Sequence, residues 1–486
     1  MNGIRILIYF LLKLCILFAE KNRSPNLLIN NNMDEIIIAI DNDTHIDYGL
    51  SYPLTYKFNI LQGANLNVYR KFRFDQEWSL VEEKTSEDFF NGVEAVRFEY
   101  DDNTAYVSIA FSNVSDTIFI KFTDDGDNIL SSSFSEICKY YDNRKAVVTV
   151  TADDWAGWNH QNFIETCQNF RDYNLWLSCA VITDIYDPMV WEDMQEQLDL
   201  GLVEVVSHSR THPYVPYNDI ESEVLGSKQD LIENLELPAL NRYGIREYVY
   251  AWIAPYGEYN ENIDTLVSYG NYLISRLFYW NDNYFSDWDN TLNKFFPVGG
   301  SIEVGSSSYW GSTDIIELNN TFDAVFSDNG IYHLMTHPNI LEWDQDFTWD
   351  HLDYISNRKD IWYVGFGHLY LYRFLSNIDQ TIDLHLNENR LSTYPDFRLY
   401  NNYPNPFNPI TTIQYKILKK TNVKIKIYDI VGNLIKTLIN DTQIPGYRSV
   451  KWDATNDQNK KVSAGIYLYT IETSELKENR KMVLLK

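Results

Sequence analysis

The sequence of 486 residues has few cysteines and a minority of positive charges. Its four cysteines include no CxxC pair, which argues against a cysteine-based zinc site, and we interpret them as buried free thiols. The 40 basic residues against 68 acidic ones give a net charge of −28, and so acidic a surface repels phosphate backbones. Nucleic acid is therefore not an expected partner.

Long hydrophobic runs are lacking beyond the N-terminus. There, a mostly apolar run at 6–18 follows Arg5 and precedes the small residue Ala19. This pattern is typical of a secretory signal peptide over residues 1–19, although Lys13 interrupts the run. A single membrane anchor is the alternative, but the run is short for a span. We therefore expect an exported chain with no stable membrane span.

Charge and strand pattern divide the chain into modules. The last 87 residues carry 14 basic against 7 acidic residues, whereas the rest carries 26 against 61. Short alternating runs over 33–140 predict an N-terminal β-sandwich, for which carbohydrate binding is one hypothesis. Buried-type strands alternate with helices over 146–376, which favours parallel β/α units in a number that suits a barrel. A polar linker, 377–399, then precedes a small all-β sandwich over 400–486.

Polar side chains follow three strands of the predicted β/α region. Asp153 and Asp154 come after the first strand, His208 and His212 after the third, and His337 after a late one. Because the carboxyl ends of barrel strands meet on one face, we expect these side chains to lie together. Two imidazoles and one carboxylate would make an open metal site. The i, i+4 spacing of the two histidines predicts one helical turn that aims both rings the same way.

Each of these features has a structural alternative. Adjacent aspartates after a strand are frequent in turns and caps, and the HxxxH spacing alone is a weak signal. A histidine at a strand end can serve only a hydrogen bond. Their joint occurrence favours a metal-dependent hydrolase, in which a second carboxylate takes a proton from water and a further histidine protonates the leaving group.

The region 146–376 resembles the polysaccharide deacetylases of the NodB-homology class, which are metal-dependent carbohydrate esterases. The similar segments are TADDW, HSRTH, WIAPYGEYN and LMTHP. The resemblance implies a distorted parallel β/α barrel, an acetylated glycan substrate and a divalent metal, zinc first, with Co²⁺ or Ni²⁺ as alternatives. The implied roles are Asp153 as general base, Asp154, His208 and His212 as metal ligands, the N–H of Tyr256 as oxyanion donor, His337 as general acid, and Pro255, Trp155 and Trp288 as substrate contacts.

Two features depart from the family pattern. Ile253 stands where the family has an arginine that orients the catalytic aspartate, and Arg210, Arg246 and Arg276 are candidates to replace it. The Asp–Trp pair that supports the catalytic histidine has only a loose candidate, in YFSDWDN. The leading hypothesis is a secreted deacetylase of N- or O-acetyl groups. The alternatives are a glycan-binding surface protein with a degenerate site and an amidohydrolase of a non-glycan C–N bond.

The last module, 400–486, resembles the C-terminal sorting domain of the type IX secretion system. The similar segments are YPNPFNPITTIQYKI, VKIKIYDIVGNLIKTL and SAGIYLYTIET. The resemblance implies the type IX secretion machinery as a partner and a route through the periplasm and outer membrane to the cell surface or the medium. An adhesive immunoglobulin-like module is the alternative.

Overall fold

A computed structural model describes the residues 27–31, 36–40, 52–60, 65–72, 75–84, 92–110, 117–237, 249–280, 283–305, 312–338, 346–376, 397–399, 402, 405–417, 420–443, 446–473 and 477–485. They belong to two compact units, of which the first ends at Ser376 and the second begins at Phe397. The signal-peptide hypothesis for 1–19 lies outside the described residues. Within them, no helix is both long enough and apolar enough to cross a membrane.

The N-terminal part of the first unit consists of two antiparallel sheets, in agreement with the predicted β-sandwich. One sheet has the order β1-β2-β8-β4-β5, with β9 on β8, and the other has the order β10-β3-β7-β6. The ring of Phe58 lies 5.3 Å from that of Phe122 in the other sheet, so the two sheets pack face to face. The strands are β1 (Leu27–Asn31), β2 (Ile36–Ile40), β3 (Leu54–Asn59), β4 (Asn67–Phe72), β5 (Ser79–Val81), β6 (Ala95–Glu99), β7 (Thr104–Ile109), β8 (Thr117–Thr123), β9 (Ile129–Leu130) and β10 (Ser133–Ile137).

The rest of the first unit alternates strands and helices, as predicted. Its strands are β11 (Ala146–Trp155), β12 (Leu177–Val181), β13 (Val203–Ser207), β14 (Ala251–Ile253), β15 (Ile274–Trp280), β16 (Trp288–Asp289), β17 (Lys294–Phe295), β18 (Val298–Gly300), β19 (Ile302–Glu303), β20 (Ile331–Thr336) and β21 (Ile361–Tyr363). Its helices are α1 (His160–Asp172), α2 (Pro188–Asp199), α3 (Ser227–Asn234), α4 (Glu261–Tyr269), α5 (Ile315–Ser327), α6 (Asp346–Ile355) and α7 (Phe366–Ser376).

The large sheet of this region is parallel and has the order β18-β15-β14-β13-β12-β11-β20-β19, with β21 also paired to β11. The two strands at the ends of this path, β18 and β19, are separated in sequence only by Ser301. The parallel β/α arrangement is confirmed, while its closure into a distorted barrel stays a prediction. One hydrophobic core, which includes Val150, Trp155 and Trp252, joins the sheet to the helices.

Short polar residues fix where several helices begin. Asp187 accepts a hydrogen bond from the N–H of Met189 at the start of α2, whose first residue is Pro188. The side chain of Asn260 caps α4 and that of Asp314 caps α5 in the same way. Side-chain acceptors at these positions satisfy N–H groups that have no partner inside the helix. The predicted helix over Glu261–Tyr269 has the observed bounds of α4.

The second unit consists of two small antiparallel sheets with the orders β22-β23-β26 and β25-β24-β27-β28. Both contribute to one core, with Tyr415 and Trp452 from one sheet and Ile425 and Tyr469 from the other, so the unit is the predicted sandwich. The segment Phe397–Leu399, which was predicted to be linker, forms its first strand. The strands are β22 (Phe397–Leu399), β23 (Thr411–Ile417), β24 (Thr421–Asp429), β25 (Leu434–Gln443), β26 (Gly446–Trp452), β27 (Gly465–Glu472) and β28 (Lys477–Leu484).

Candidate metal centre and active site

Two adjacent aspartates lie in a β-bulge at the carboxyl end of β11. The pairing of β11 with β12 shifts register between Ala152 and Trp155. Asp154 has a left-handed backbone, with φ of 72°. In a regular strand neighbouring side chains point to opposite faces, whereas a bulge re-aims one of them. The bulge therefore explains how Asp153 and Asp154 both reach the same site.

The two histidines lie on a loop after β13, and the predicted helical turn is wrong. Ser209 and His212 have left-handed φ values of 67° and 57°. The Oγ of Ser209 accepts a hydrogen bond from the N–H of His212 at 2.9 Å. Glu223 also holds the loop, because its Oε2 accepts from the backbone N–H groups of Arg210 and Thr211, each at 2.9 Å. The i, i+4 spacing thus brings the rings together through an irregular loop, not through a helix.

The three predicted metal ligands converge. The Nε2 atoms of His208 and His212 each lie 3.3 Å from Oδ1 of Asp154. One ligand atom from each residue lies within 4.8 Å of the other two. In a tetrahedral zinc site with ligand bonds of about 2.0–2.1 Å, neighbouring ligand atoms are about 3.3–3.4 Å apart. The observed separations therefore fit a single ion.

Hydrogen bonding leaves these ligand atoms available. The Nδ1 of His208 lies 2.9 Å from the carbonyl oxygen of Ile253, which assigns the ring proton to Nδ1 and leaves Nε2 as an electron-pair donor. Oδ1 of Asp154 is buried and accepts no hydrogen bond from the described part of the chain. A buried carboxylate oxygen beside two imidazole nitrogens is costly unless a cation is bound there. The donor set therefore fits a divalent metal.

The protonation states also suit a metal. Burial and the neighbouring His208 lower the pKa of His212 to about 4, so that imidazole is neutral near pH 7. Burial raises the pKa of the Asp154 carboxyl, but its interactions with His208 and His212 outweigh burial and hold that pKa below its usual value. Neutral imidazole and ionised carboxylate are the forms in which these groups bind metals.

Asp153 of β11 is paired with an arginine on β15, a strand that is not adjacent to β11 in the sheet. Arg276 of β15 donates a hydrogen bond from its guanidinium group to Oδ1 of Asp153, and both side chains are buried. Burial raises the pKa of Asp153, but the charges of Arg276, His208 and His337 and the hydrogen bond from Arg276 together outweigh burial and lower that pKa below its usual value. Arg276 is also the register partner of Ile253 on β14. The guanidinium that contacts Asp153 therefore comes from the strand beside Ile253, on the same face of the sheet as Ile253.

Arg210, a second arginine candidate, pairs with a different carboxylate. The guanidinium of Arg210 donates to both carboxylate oxygens of Asp230, at 2.8 and 2.7 Å. Arg246 lies outside the described residues. Sequence reasoning named Arg276 only as one of three candidates, because nothing in the sequence reveals that it sits beside Ile253 in the sheet.

His337 follows β20 and is held by a carboxylate. Its Nδ1 lies 2.6 Å from Oε1 of Glu303, a fully buried residue at the end of β19. With Nδ1–H donating to Glu303, Nε2 is left facing Oδ2 of Asp153 at 3.7 Å. Burial lowers the pKa of His337, but the hydrogen bond to Glu303 and the charge of Asp153 outweigh burial and raise that pKa above its usual value. The ring therefore holds a proton to higher pH than an ordinary histidine.

Glu303 was missed by sequence reasoning, which looked to the segment YFSDWDN for the group that supports His337. Trp288 in that segment packs instead on Phe295 and Phe374, with ring centroids 5.0 and 5.3 Å away. The expected supporting pair is therefore wrong. Glu303 stands in the unremarkable sequence SIEVG, and only the pairing of β19 with β20 brings it next to His337.

Tyr256 lies in a short 3₁₀ turn, Pro255–Gly257, with a left-handed φ of 58°. Its ring centroid is 4.4 Å from that of His212. The ring of Tyr214 stacks on it with centroids 3.8 Å apart and planes 7° from parallel. Left-handed backbone at non-glycine residues is uncommon and clusters at functional sites. Here Asp154, Ser209, His212 and Tyr256 all adopt it.

The predicted substrate contacts are less accessible than expected. Trp155 is fully buried, and its ring stacks on Phe163 with centroids 5.0 Å apart. Pro255 is buried as well. Neither side chain offers a surface to a substrate, because each packs into the core of the unit. Exposed aromatic rings occur instead at Trp158, Tyr214 and Tyr256, which follow β11, β13 and β14 in the chain.

Comparison with known proteins gives matches over two parts of the chain. A family model described as the FlgD Ig-like domain matches residues 412–477. A protein from Mycobacterium smegmatis described as a polysaccharide deacetylase is 13% identical with a TM-score of 0.39, over 50% of this chain and 95% of that chain. The Xyl-CE4 domain of a multidomain xylanase from the hindgut metagenome of Trinervitermes trinervoides is 13% identical with a TM-score of 0.32, over 49% and 96%.

A further similarity concerns PorZ, described as a surface component of the type IX secretion system of Porphyromonas gingivalis. It is 23% identical with a TM-score of 0.15, over 18% of this chain and 11% of that chain. Curated proteins give no match. Similarities at these identities and TM-scores do not assign a function, so the function is inferred from the geometry of the site.

Proposed function

We propose that this chain is a metal-dependent deacetylase that hydrolyses N- or O-acetyl groups on a glycan. The observation that carries the proposal is the convergence of Asp154, His208 and His212 beside the Asp153–His337 pair. A three-ligand centre with an open position, next to an ionised carboxylate and an imidazole of raised pKa, contains the groups that acetyl hydrolysis needs.

The side chains around this centre have distinct tasks. A divalent metal held by the three ligands, zinc first and cobalt or nickel as alternatives, would supply Lewis acidity toward water and the acetyl carbonyl. Asp153, ionised and oriented by Arg276, accepts the proton of the attacking water. The N–H of Tyr256 donates to the oxyanion. His337 protonates the leaving amine or alcohol, and its hydrogen bond to Glu303 orients the ring.

Metal content and acetate release test this proposal. The purified chain is expected to contain about one equivalent of a divalent metal per molecule, measured by elemental analysis. His208→Ala is expected to lose that metal. His160→Ala is the matched control, because His160 lies outside the ligand set and pairs with Asp193 at 3.4 Å. Acetate release from acetylated xylan or chitooligosaccharides is expected only from the metal-loaded protein.

The two alternatives predict different results. A glycan-binding protein with a degenerate site would bind these polymers without releasing acetate. That hypothesis rested mainly on Ile253, and Arg276 beside Asp153 removes this reason. An amidohydrolase of a non-glycan C–N bond would use the same groups. It would release amine or ammonia from small amides and leave acetylated glycans intact.

We also propose that the chain is exported. The signal-peptide pattern of residues 1–19 and the similarity of 400–486 to type IX sorting domains support a route through the periplasm and outer membrane. The mature protein is then expected at the cell surface or in the medium, without residues 1–19. Deletion of 400–486 is expected to retain it in the periplasm, as immunoblots of cell fractions will report. Secretion of the truncated chain would contradict this route.

A further inference from the structure

One face of the N-terminal sandwich combines lysines with aromatic rings. Along Ile118–Phe122 of β8 the side chains alternate between the core and the surface, and β4 pairs with this strand. Val68 and Ile120 are fully buried, whereas their neighbours Tyr69, Lys71 and Lys121 are partly exposed. Successive residues of a strand point to opposite faces, so these partly exposed side chains share the outer face of the sheet.

We define the Lys–aromatic face as Tyr69, Lys71, Trp78, Phe119 and Lys121. Tyr69 lies directly across from Lys121 in the pairing of β4 with β8, and Lys71 lies across from Phe119. Lysine and ring therefore alternate both across and along the two strands. Leu80 on β5 is the partner of Tyr69 on the other side and is 58% exposed, so the face reaches solvent there.

Each ammonium group of this face is held between two rings. The Nζ of Lys71 lies 5.1 Å from the ring centroid of Trp78 and 5.3 Å from that of Phe119. The Nζ of Lys121 lies 4.7 Å from Trp78 and 5.2 Å from Tyr69. Cation–π contacts at these distances fix the charges but satisfy none of the N–H donors of an ammonium group with an oxygen acceptor.

The two lysines also differ from Lys57 and Lys84 of this domain. Lys57 pairs with Glu136 at 3.2 Å, and Lys84 pairs with Glu82 at 3.3 Å. Among the described residues, no carboxylate lies within 4.0 Å of Lys71 or Lys121. In a chain with a net charge of −28, this surface thus carries two positive charges that have no acidic partner among the described residues. Their natural counter-charge is an external anion.

We propose that the Lys–aromatic face binds an anionic polysaccharide, one whose sugar rings carry carboxylate groups. Aromatic rings offer flat apolar surface to the C–H faces of pyranose rings, and ammonium groups bind carboxylates. A neutral glycan would use the rings but not the two lysines, and a small inorganic anion would use the lysines but not the rings. The combination therefore selects a ligand with both features.

This binding does not rest on the proposed deacetylase activity. The Lys–aromatic face is on the N-terminal sandwich, and none of its residues belongs to the candidate metal centre. The Asp153→Asn variant is accordingly expected to bind the polymer as well as the unchanged chain does. Loss of binding and loss of acetate release can therefore be recognised separately.

Affinity electrophoresis of the full chain tests the proposal. Migration in gels that contain polygalacturonate, a carboxylated polymer, is compared with migration in gels that contain neutral dextran. Retardation is expected with polygalacturonate alone, and it is expected to weaken as salt is added, because the lysine contacts are screened. The dissociation constant follows from retardation at a series of polymer concentrations.

Variants assign the binding to this face. Lys71→Gln/Lys121→Gln and Trp78→Ala are each expected to weaken binding about tenfold or more, since charge-assisted hydrogen bonds and aromatic stacking each contribute on that scale. Lys57→Gln/Lys139→Gln removes the same two charges from the domain at other positions and is the matched control. It is expected to bind like the unchanged chain, and circular dichroism checks that each variant is folded.

Three results would overturn the proposal. The first is absence of retardation by polygalacturonate, and the second is equal retardation by dextran. The third is unchanged binding in both Lys71→Gln/Lys121→Gln and Trp78→Ala. Sedimentation of the chain alone adds a further check: association that depends on these residues would mean that the face binds a second copy of the chain instead of a polysaccharide.

Discussion

The two ends of the same parallel strands bury polar groups in opposite ways. At the amino ends of β12 and β13, Oε2 of Glu204 accepts hydrogen bonds from Oγ of Ser178 at 2.8 Å and from the N–H of Gly367 at 2.9 Å. At the carboxyl ends, Oδ1 of Asp154 lies between two imidazole nitrogens and accepts no hydrogen bond from the described residues. Oε2 of Glu204 thus has two donors from its own fold, although Oε1 of Glu204 accepts no hydrogen bond from the described residues, and Oδ1 of Asp154 is placed among metal-binding atoms.

The backbone around Glu204 also differs from the backbone around Asp154. Gly365 and Gly367 lie against Glu204, and a Cβ on them would come within 2.7 and 2.3 Å of its carboxylate oxygens. Glu204 also lies at the start of α7, where the N-terminal N–H groups favour a negative charge. The amino end is thus closely packed around Glu204. The carboxyl end instead holds left-handed residues such as Asp154 and His212, whose strain the surrounding structure must support.

The atoms around a buried carboxylate therefore indicate its role. A carboxylate whose neighbours are N–H and O–H donors stabilises the fold, and its removal leaves those donors unpaired. A carboxylate whose neighbours are electron-pair donors makes sense only with a cation between them. Substitutions at one end of the strands at a time test this distinction.

The largest effect on activity is expected from Asp154→Ala. Loss of this ligand removes the metal, whose charge stabilisation is worth several kcal/mol in the transition state, so acetate release is expected to fall by about a thousandfold. Stability of the metal-free protein is expected to change little, because Oδ1 accepts no hydrogen bond in the described part of the chain. Elemental analysis, initial rates and urea unfolding measure these three quantities. Full metal content and activity in the variant would contradict the site.

The second effect concerns Arg276, the arginine on β15 that contacts Asp153. Arg276→Ile leaves Asp153 buried without its charged partner, and acetate release is expected to fall by about a hundredfold. Because Ile253 and Arg276 are register partners, Ile253→Arg/Arg276→Ile returns an arginine to the same face one strand away. The double variant is expected to recover part of the lost rate. Equal loss in both variants, with both proteins folded, would show that only the arginine on β15 can orient Asp153.

At the amino end, Glu204→Ala is expected to reduce stability and to leave acetate release unchanged. Ser178 Oγ and the N–H of Gly367 lose their acceptor, so the free energy of unfolding is expected to fall by about 1–3 kcal/mol. Acetate release per folded molecule is expected to stay unchanged, since Glu204 is at the far end of the strands from the metal centre. Glu204→Gln is the matched control, because its amide oxygen can still accept these bonds. Similar losses in both variants would mean that the negative charge, not hydrogen bonding, is what stabilises this end.

The sequence predicts the parts of this protein that depend on local pattern. Alternation of strands and helices predicts the parallel sheet and several helix bounds, and the polar residues after β11, β13 and β20 identify Asp153, Asp154 and the three histidines. These signals are local because each polar residue directly follows its own strand. The residues then converge because the carboxyl ends of parallel strands meet on one face. The predicted helical turn at His208 fails because Ser209 and Glu223 stabilise a left-handed loop, and the second of these lies more than ten residues away.

The residues that the sequence did not reveal are brought to the site by the topology of the sheet. Arg276 of β15 reaches Asp153 of β11 although three strands lie between these two in the strand order, and Glu303 reaches His337 because β19 pairs with β20. Neither contact has a signal in the sequence, since the segments that meet are distant in the chain. The burial of Trp155 is another case, because the bulge that re-aims the aspartates returns this ring to the core.

The smallest of these effects, and the one specific to the carboxyl end, is a shift in pH dependence. His337 must be protonated to act as the acid, so the rate falls as pH rises through its pKa. The carboxylate of Glu303 raises that pKa, and Glu303→Gln keeps a hydrogen-bond acceptor but removes the charge. The alkaline limb of the rate profile is therefore expected to move to lower pH, while the acidic limb, which reports the base, keeps its place.

The same measurement on Glu204→Gln completes the comparison. This variant removes one negative charge from the amino end of the strands, so its alkaline limb is expected to coincide with that of the unchanged chain. A shift in Glu303→Gln alone assigns the limb to His337 through its direct carboxylate partner. Equal shifts in the two variants would mean that the limb responds to net charge and not to this hydrogen bond, which would remove the support for His337 as the acid.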